Sequence, residues 1–289
     1  MVAAEGAEVN RKRALKCLDD LEPFSPVVAR LLSTFSMNPD KVSLSGIGDL
    51  IEKDTILSGK VLALANSAYY GRGTEVVSIH RAVARLGLNK VRNTILALSI
   101  NRVWKNAKTP QFWSMLRFNL HSLAAAVTGD LLAMRMPTQY GEGAFIAGLF
   151  HDLGRLVIAV MLQDEYEIVC RTAQADERGL TGKERSLLGF DHSELSAEIV
   201  KHWNLPAEIK TAVEFHEYPD LDPSPVPNGC HRLSKIIHVA DRYAACLGIA
   251  TVEGSVADNE DPLQLLGTSE IQLQLFPEFK SQFDLLRNM

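Results

Sequence analysis

Residues 144–162 read AFIAGLFHDLGRLVIAVML, and the fold turns on how this stretch is understood. Small and apolar side chains run along it from end to end, which marks a helix buried on every side rather than one with a solvent face. His151 and Asp152 stand in its middle. A buried carboxylate is costly unless a cation or hydrogen-bond donors compensate it. Two adjacent polar residues in so apolar a helix therefore need partners from elsewhere in the chain.

Helical segments extend outward on both sides. On the C-terminal side a charged stretch, 176–183, precedes a segment from Glu184 to Leu188, and the turn Gly189-Phe190-Asp191 introduces a helix from His192 to Trp203. Leu205-Pro206 restarts the chain as a helix to Phe215, with His216 at its end. The four prolines from Pro219 to Pro227 make a loop. Cys230 to Leu247 is the last strongly periodic helix, with Asp241 next to the run Ile236-Ile237-His238-Val239-Ala240; two weaker helices follow. On the N-terminal side Phe112 to Leu132 reads as one long helix carrying His121 among Leu120, Leu123, Ala124 and Ala125.

The first half is helical as well. Val27, Val28, Leu31, Leu32 and Phe35 repeat at three-and-four spacing after the start signal Ser25-Pro26, and Asn38-Pro39-Asp40 ends that helix. Ser45 to Lys53 is a short helix, and Asp54 caps the next, which runs to Asn66. Asn66 to Gly71 reads as a structured loop, either a contact surface or packing between the halves. Ser78 starts a helix that Gly87 closes, and a long apolar helix runs from Val91 to Val103. Residues up to Asn10 read as a frayed, polar start. Strand alternation is absent, so the expected class is all-α. The expected organisation is an N-terminal extension (1–20), a first helical subdomain (21–110), a second (111–250) and a helical tail (251–289), joined near Lys105 to Pro110.

Composition narrows the function. The 289 residues are 46% hydrophobic and 22% charged, enough for a sizeable core. The formal charge of −5 gives no overall basic field, so neither nucleic acid nor an anionic membrane is an expected partner. Arg81, Arg85, Lys90 and Arg92 read as a solvated face. Cys17, Cys170, Cys230 and Cys246 are far apart, which fits a reducing compartment and argues against a disulfide framework or a thiolate zinc site. No apolar run approaches the roughly 20 residues needed to cross a bilayer. The start MVAAEGAEVNRKR lacks the order of a signal peptide, and a cytoplasmic protein is expected.

Six residues stand out by context: His121, His151, Asp152, His192, His216 and Asp241. Singly, each has a structural reading. His121 would be a core histidine bonded to backbone, Asp241 a helix-packing anchor, His192 a helix-start residue, and His216 a helix terminus in a favourable dipole contact. Together they could offset one another's burial by sharing a metal. Imidazole with carboxylate suits iron, manganese or zinc, and without thiolates the set does not single one out.

The order histidine, His-Asp, aspartate, spread over helices, resembles the HD superfamily of metal-dependent phosphohydrolases, and the chain is more closely similar to HDOD domain proteins. The resemblance is carried by Phe24-Ser25-Pro26-Val27-Val28-Ala29-Arg30-Leu31-Leu32, Leu50-Ile51-Glu52-Lys53-Asp54, Leu64-Ala65-Asn66-Ser67-Ala68-Tyr69-Tyr70-Gly71 and Ser78-Ile79-His80-Arg81-Ala82-Val83. It continues in Ala147-Gly148-Leu149-Phe150-His151-Asp152-Leu153-Gly154-Arg155, Asp191-His192, Trp203-Asn204-Leu205-Pro206 and His238-Val239-Ala240-Asp241, and covers residues 20 to 250.

The resemblance implies two helical subdomains, the second an HD-like bundle, and a role in bacterial signalling, commonly without catalysis. It also implies a metal set of His121, His151, Asp152 and Asp241. His192 and His216 resemble the extra histidines of the HD-GYP phosphodiesterases, which hold two or three metals. Departures from those enzymes are clear. Their tandem histidines are Phe215-His216-Glu217 here, so one member is missing and Glu217 could replace it as an oxygen ligand; their lysine after the doublet is Arg155; their Gly-Tyr-Pro loop is missing. The expectation is thus a signalling module holding one or two divalent transition ions, iron or manganese favoured and zinc the alternative. Its expected partner is a protein of a signalling pathway, with a phosphate-containing ligand as the second option. The competing expectations are a phosphohydrolase, with Asp152 bridging the ions and Arg155 steadying the phosphate, and an empty, hydrogen-bonded remnant.

Overall fold

The computed structural model describes residues 2–20, 26–33, 43–71, 73–103, 107–173, 179–252, 261–267 and 272–289. The N-terminus corrects the expectation of a frayed start: Val2–Asp20 is a helix, α1. Large apolar residues are few in it, so it announces itself weakly in the sequence. It is held instead by small residues and ion pairs. Ala14 is fully buried, Arg11 reaches Glu194 at 3.5 Å and Glu198 at 3.8 Å, and Arg13 donates to the Met161 carbonyl at 3.3 Å.

Two compact units divide the chain, residues 22–105 with 280–289, and residues 1–21 with 106–279. The first of these is built on α2 (Pro26–Ser33), α3 (Leu44–Glu52), α4 (Thr55–Ala65), α5 (Ile79–Leu86) and α6 (Leu88–Val103). Asp54 caps α4 by accepting from the Ile56 and Leu57 amides, both at 3.0 Å. Gly87 ends α5 with φ of 79°, a left-handed value that favours glycine. The loop after α4 is tied down within its own unit. The Asn66 carboxamide donates to the Val76 carbonyl and accepts from the Val76 amide, both at 2.8 Å. The helix-start residues Pro23 to Ser25 and the stop at Asn38-Pro39-Asp40 lie outside the described residues.

The second unit holds α1 together with α7 (Met115–Arg135), α8 (Ala144–Phe150), α9 (Leu153–Met161), α10 (Gln163–Ala173), α11 (Gly179–Leu188), α12 (His192–His202), α13 (Ala207–Glu214) and α14 (Leu233–Cys246). The last helix, α15 (Gln272–Arg287), divides between the units after Phe279. The core of this unit is α7 against α8 and α14, with α12 packed on α9 and α13. Among the described residues there is no strand; the nearest approach is one isolated bridge, Thr138 to His231.

Two expectations about residues 144–162 need correction. One continuous helix was expected, but the chain turns at His151 and Asp152 and divides it into α8 and α9. Its length was also underestimated. Gly141–Met161 is long and apolar enough by composition to cross a membrane, but 83% of its most apolar window is buried inside the protein. It is the central element of a packed core.

Candidate metal centre

The break between α8 and α9 sets up the site. In a continuous helix adjacent side chains diverge by about 100°. At the turn both swing to one side, and His151 Nε2 lies 3.6 Å from Asp152 Oδ1. Glycine makes the surrounding crossings close. A Cβ on Gly148 would stand 2.8 Å from the Ala125 carbonyl oxygen, so α8 meets the backbone of α7, which carries His121. A Cβ on Gly154 would stand 2.1 Å from the His192 carbonyl oxygen, so α9 meets the start of α12. The Gly154 amide donates to Ser196 Oγ at 2.7 Å across this crossing.

His216 is placed by a local device. Asn204 takes a left-handed φ of 54° after α12, and the Leu205 amide closes back on the Val200 carbonyl at 3.2 Å. That is a helix-terminating turn that asparagine tolerates. Trp203 packs on Phe150 with ring centroids 5.2 Å apart, and α13 then runs to the turn that carries His216.

All four histidines use Nδ1 in the same way. His121 donates to the Ile249 carbonyl at 2.7 Å, His151 to Gly148 at 2.8 Å and His216 to Val213 at 2.7 Å; His192 Nδ1 meets Glu184 Oε2 at 2.6 Å. With the proton on Nδ1, each Nε2 presents a lone pair. These face one another in pairs: His121 and His151 at 3.2 Å, His192 and His216 at 3.3 Å. Two lone pairs at such a distance repel unless a proton or a metal ion lies between them.

Carboxylates complete two clusters. His121 Nε2 is 3.0 Å and His151 Nε2 3.6 Å from Asp241 Oδ1. His192 Nε2 is 3.4 Å and His216 Nε2 4.0 Å from Glu217 Oε1. Asp152 lies between, with His121 at 3.5 Å on Oδ2 and His192 at 3.3 Å on Oδ1. The atoms of each triad, His121–His151–Asp241 and His192–His216–Glu217, lie within 4.8 Å of one another. Asp152 Oδ2 accepts from Thr251 at 2.8 Å and Arg155 at 2.9 Å, whereas Oδ1 is buried with no hydrogen-bond partner. A carboxylate oxygen left without a donor between two sets of imidazole nitrogens calls for a shared cation, either a proton carried by His192 or a metal ion.

The charges agree. The cluster holds four carboxylates, Asp152, Glu184, Glu217 and Asp241, and a single guanidinium, Arg155, which bonds Asp152 at 2.9 Å and Glu217 at 3.0 Å and lies 3.7 Å from Glu184. With neutral imidazoles the cluster carries a surplus of three negative charges. Burial opposes ionisation of Asp152, but Arg155 and the histidines outweigh it and hold the carboxyl well below its ordinary range. Burial likewise opposes ionisation of Asp241 and Glu217, and the neighbouring histidines bring both down. Burial would lower His121, but Asp241 raises it; burial and Arg155 would lower His192, but Glu184 and Asp152 push it up to about 9. His216 is driven down to about 4 by burial and by His151. Protons on His121 and His192 would still leave a negative surplus; divalent cations would remove it.

The structure brings all six residues singled out in the sequence into this one cluster, and Arg155 with them. Arg155 sits differently from the expectation, since its fork is engaged by carboxylates rather than held open for a phosphate. Sequence reasoning missed Glu184, Thr181, whose hydroxyl donates to Glu217 at 2.9 Å, and Thr251. The first two had a faint signal: Thr181, Glu184 and Leu188 share the buried phase of α11.

Asp191 supports the site from outside. It caps α12, accepting from the Glu194 amide at 3.0 Å and Ser193 Oγ at 2.7 Å, and pairs with Arg185. Burial opposes its charge, but His192, these donors and Arg185 hold it at about 2. A carboxylate lowered from its ordinary value of 3.8 stabilises the fold fully above that pH, and the contribution drains away as pH falls through 2. Asp191→Ala is expected to cost about 2 kcal/mol at pH 7. The gap between wild type and variant should narrow at pH 3 in urea unfolding, and a gap independent of pH would contradict this account.

Known proteins share this fold. The HDOD domain profile matches residues 21–219. An uncharacterised protein of Treponema pallidum (strain Nichols) is 31% identical over 185 residues, 62% of this chain and 34% of that protein, so the match spans about a third of the relative's length. Among solved structures, an HDOD domain protein of unknown function from Geobacter sulfurreducens superposes with a TM-score of 0.69 at 22% identity, covering 97% of both chains. A candidate signal transduction protein from Marinobacter aquaeolei VT8 gives 0.70 at 22%, covering 98% of this chain and 65% of its own. A candidate phosphohydrolase from Shewanella amazonensis SB2B gives 0.69 at 23%, covering 95% and 96%. At these identities the likeness is one of fold.

Proposed function

The chain belongs to the HDOD domain family, and from that premise we propose that it is a regulatory module of signal transduction built around a retained two-ion metal centre, working through a protein partner rather than by turnover. The observation that carries the metal assignment is the facing of imidazole lone pairs, 3.2 Å apart in one pair and 3.3 Å in the other. His121, His151 and Asp241 would hold one ion, His192, His216 and Glu217 the other, with Asp152 between them. Nitrogen and oxygen donors without thiolate favour iron or manganese, with zinc as the alternative. A bound divalent ion of this kind polarises phosphoryl oxygens and lowers the pKa of a bound water.

Two features favour regulation over hydrolysis. Arg155, the one cation of the cluster, is already held by Asp152 and Glu217, and a phosphate would have to break those bonds to use it. The donors are also deeply enclosed: His151, Asp152, His192 and His216 are fully buried, and Asp241 and Glu217 form the only partly open edge among the cluster's ligands. One observation favours the second reading, a metal-dependent phosphohydrolase: the free Oδ1 of Asp152 lies where a bridging ligand is needed. The free thiols Cys170, Cys230 and Cys246 suit a reducing compartment, and we assign the module to the cytoplasm.

The readings separate by experiment. Protein purified without added metal should contain about two transition ions per chain by elemental analysis, one for each of His121–His151–Asp241 and His192–His216–Glu217, since the third triad of the cluster, His151–Asp152–His216, takes both its histidines from those two. Loaded with manganese, it should leave a panel of phosphomonoesters, phosphodiesters and cyclic dinucleotides uncleaved. Turnover that disappears in Asp152→Asn would replace the regulatory reading with the hydrolytic one.

A further inference from the structure

The two halves of the centre are not equivalent in their support. On three of the four histidines Nδ1 meets a neutral backbone carbonyl, and on His192 alone it meets a carboxylate, Glu184 Oε2, at 2.6 Å. The same oxygen accepts the His192 backbone amide at 3.0 Å, so one carboxylate fixes both the main chain and the ring of a single residue. Its other oxygen, Oε1, is met by the Tyr166 hydroxyl at 3.5 Å and lies 3.7 Å from Arg155 Nε. Glu184 and Tyr166 are fully buried, which leaves the carboxylate little room to turn away.

From this asymmetry we propose that Glu184 is a positioning residue which, through His192, sets the affinity of the His192–His216–Glu217 ion position and leaves the His121–His151–Asp241 position alone. The proposal deepens the two-ion reading and rests on it. A charged acceptor on Nδ1–H forms a bond roughly twice as strong as a neutral one. It locks the tautomer and makes Nε2 a stronger donor to a metal. The other three rings are oriented by carbonyls but gain no such charge. Glutamine in place of Glu184 is nearly the same shape. It keeps an acceptor toward His192 only by turning its NH2 toward the Arg155 Nε–H, and it carries no charge in either orientation.

The test is calorimetric titration of metal-free protein with Mn²⁺. Wild type should bind two ions per chain. Glu184→Gln should bind one ion at wild-type affinity and the second about 10- to 100-fold more weakly. In proton NMR of the metal-free proteins, the strongly deshielded ring N–H of His192 should be present in wild type and lost in the variant, which a purely packing role would not produce. Two ions bound alike by both proteins would overturn the proposal alone, as would equal weakening of both ions at unchanged helicity. Wild-type protein that takes up no manganese would overturn the two-ion reading and this assignment with it. Should Glu184→Gln fail to fold, Glu184→Asp decides: it keeps the charge but draws the carboxylate back from His192 by one methylene, and should weaken the second ion several-fold while leaving the first alone. A shift in the first ion instead would refute the assignment.

Discussion

Removing metal with a chelator is expected to lower the thermal unfolding midpoint by about 10 °C or more, and adding manganese back should restore it. The size follows from linkage. A ligand that binds only the native state, at a thousandfold excess over its Kd, adds about 4 kcal/mol. In a folding unit of this size each kcal/mol moves the midpoint by roughly 2–4 °C. The cause is the surplus of buried negative charge. Asp152, Glu217, Glu184 and Asp241 have one internal cation, Arg155, and the remaining repulsion falls on whatever else can enter. Without metal, protons on His121 and His192 take over part of that work, His192 being held at about 9, while His216, at about 4, stays neutral. Low-temperature helicity should therefore survive chelation even as the melting point drops. Differential scanning calorimetry with and without chelator measures this directly. Coincident melting curves would mean that the cluster is a hydrogen-bonded remnant with no resident ion.

Gly154→Ala is expected to destabilise the protein by roughly 3 kcal/mol or more, far above an ordinary glycine-to-alanine change in a helix, which would stabilise. The added Cβ would lie 2.1 Å from the His192 carbonyl oxygen and within 3 Å of two further backbone atoms of that residue. Backbone cannot yield as a flexible side chain can, so α9 and α12 must separate. Separation breaks the Gly154 amide's bond to Ser196 Oγ, 2.7 Å long, and withdraws His192 from Asp152, 3.3 Å away. Stability and metal content should therefore fall together. Urea unfolding paired with elemental analysis checks both. A variant that melts like wild type and keeps its metal would show that the helices can part without cost.

Much of the site was legible in the chain. Polar residues embedded in apolar helices are rare enough that His121, His151, Asp152 and Asp241 announced themselves by their neighbours alone. Helical periodicity gave α4 with its Asp54 cap, α5 between Ser78 and Gly87, and the body of α14, since three-and-four spacing is written locally. Other features were not legible. α1 docks through alanine and ion pairs and lacks an apolar stripe. The break at His151-Asp152 lies within a run whose composition favours one continuous helix. Glu184 looked like one more charge beside a charged stretch, because what buries it is the arrival of α12.

The sequence by itself determined the all-helical class and most of the helices, and it singled out the six residues His121, His151, Asp152, His192, His216 and Asp241, because hydrophobic spacing and turn residues act over a few positions. Only the tertiary structure decided that the donors face one another in pairs, that Asp152 lies between them and that Arg155 is bound by carboxylates. Those are relations between residues such as Asp152 and Thr251, 99 positions apart, and local sequence does not encode the distances on which repulsion, ligation and charge compensation depend.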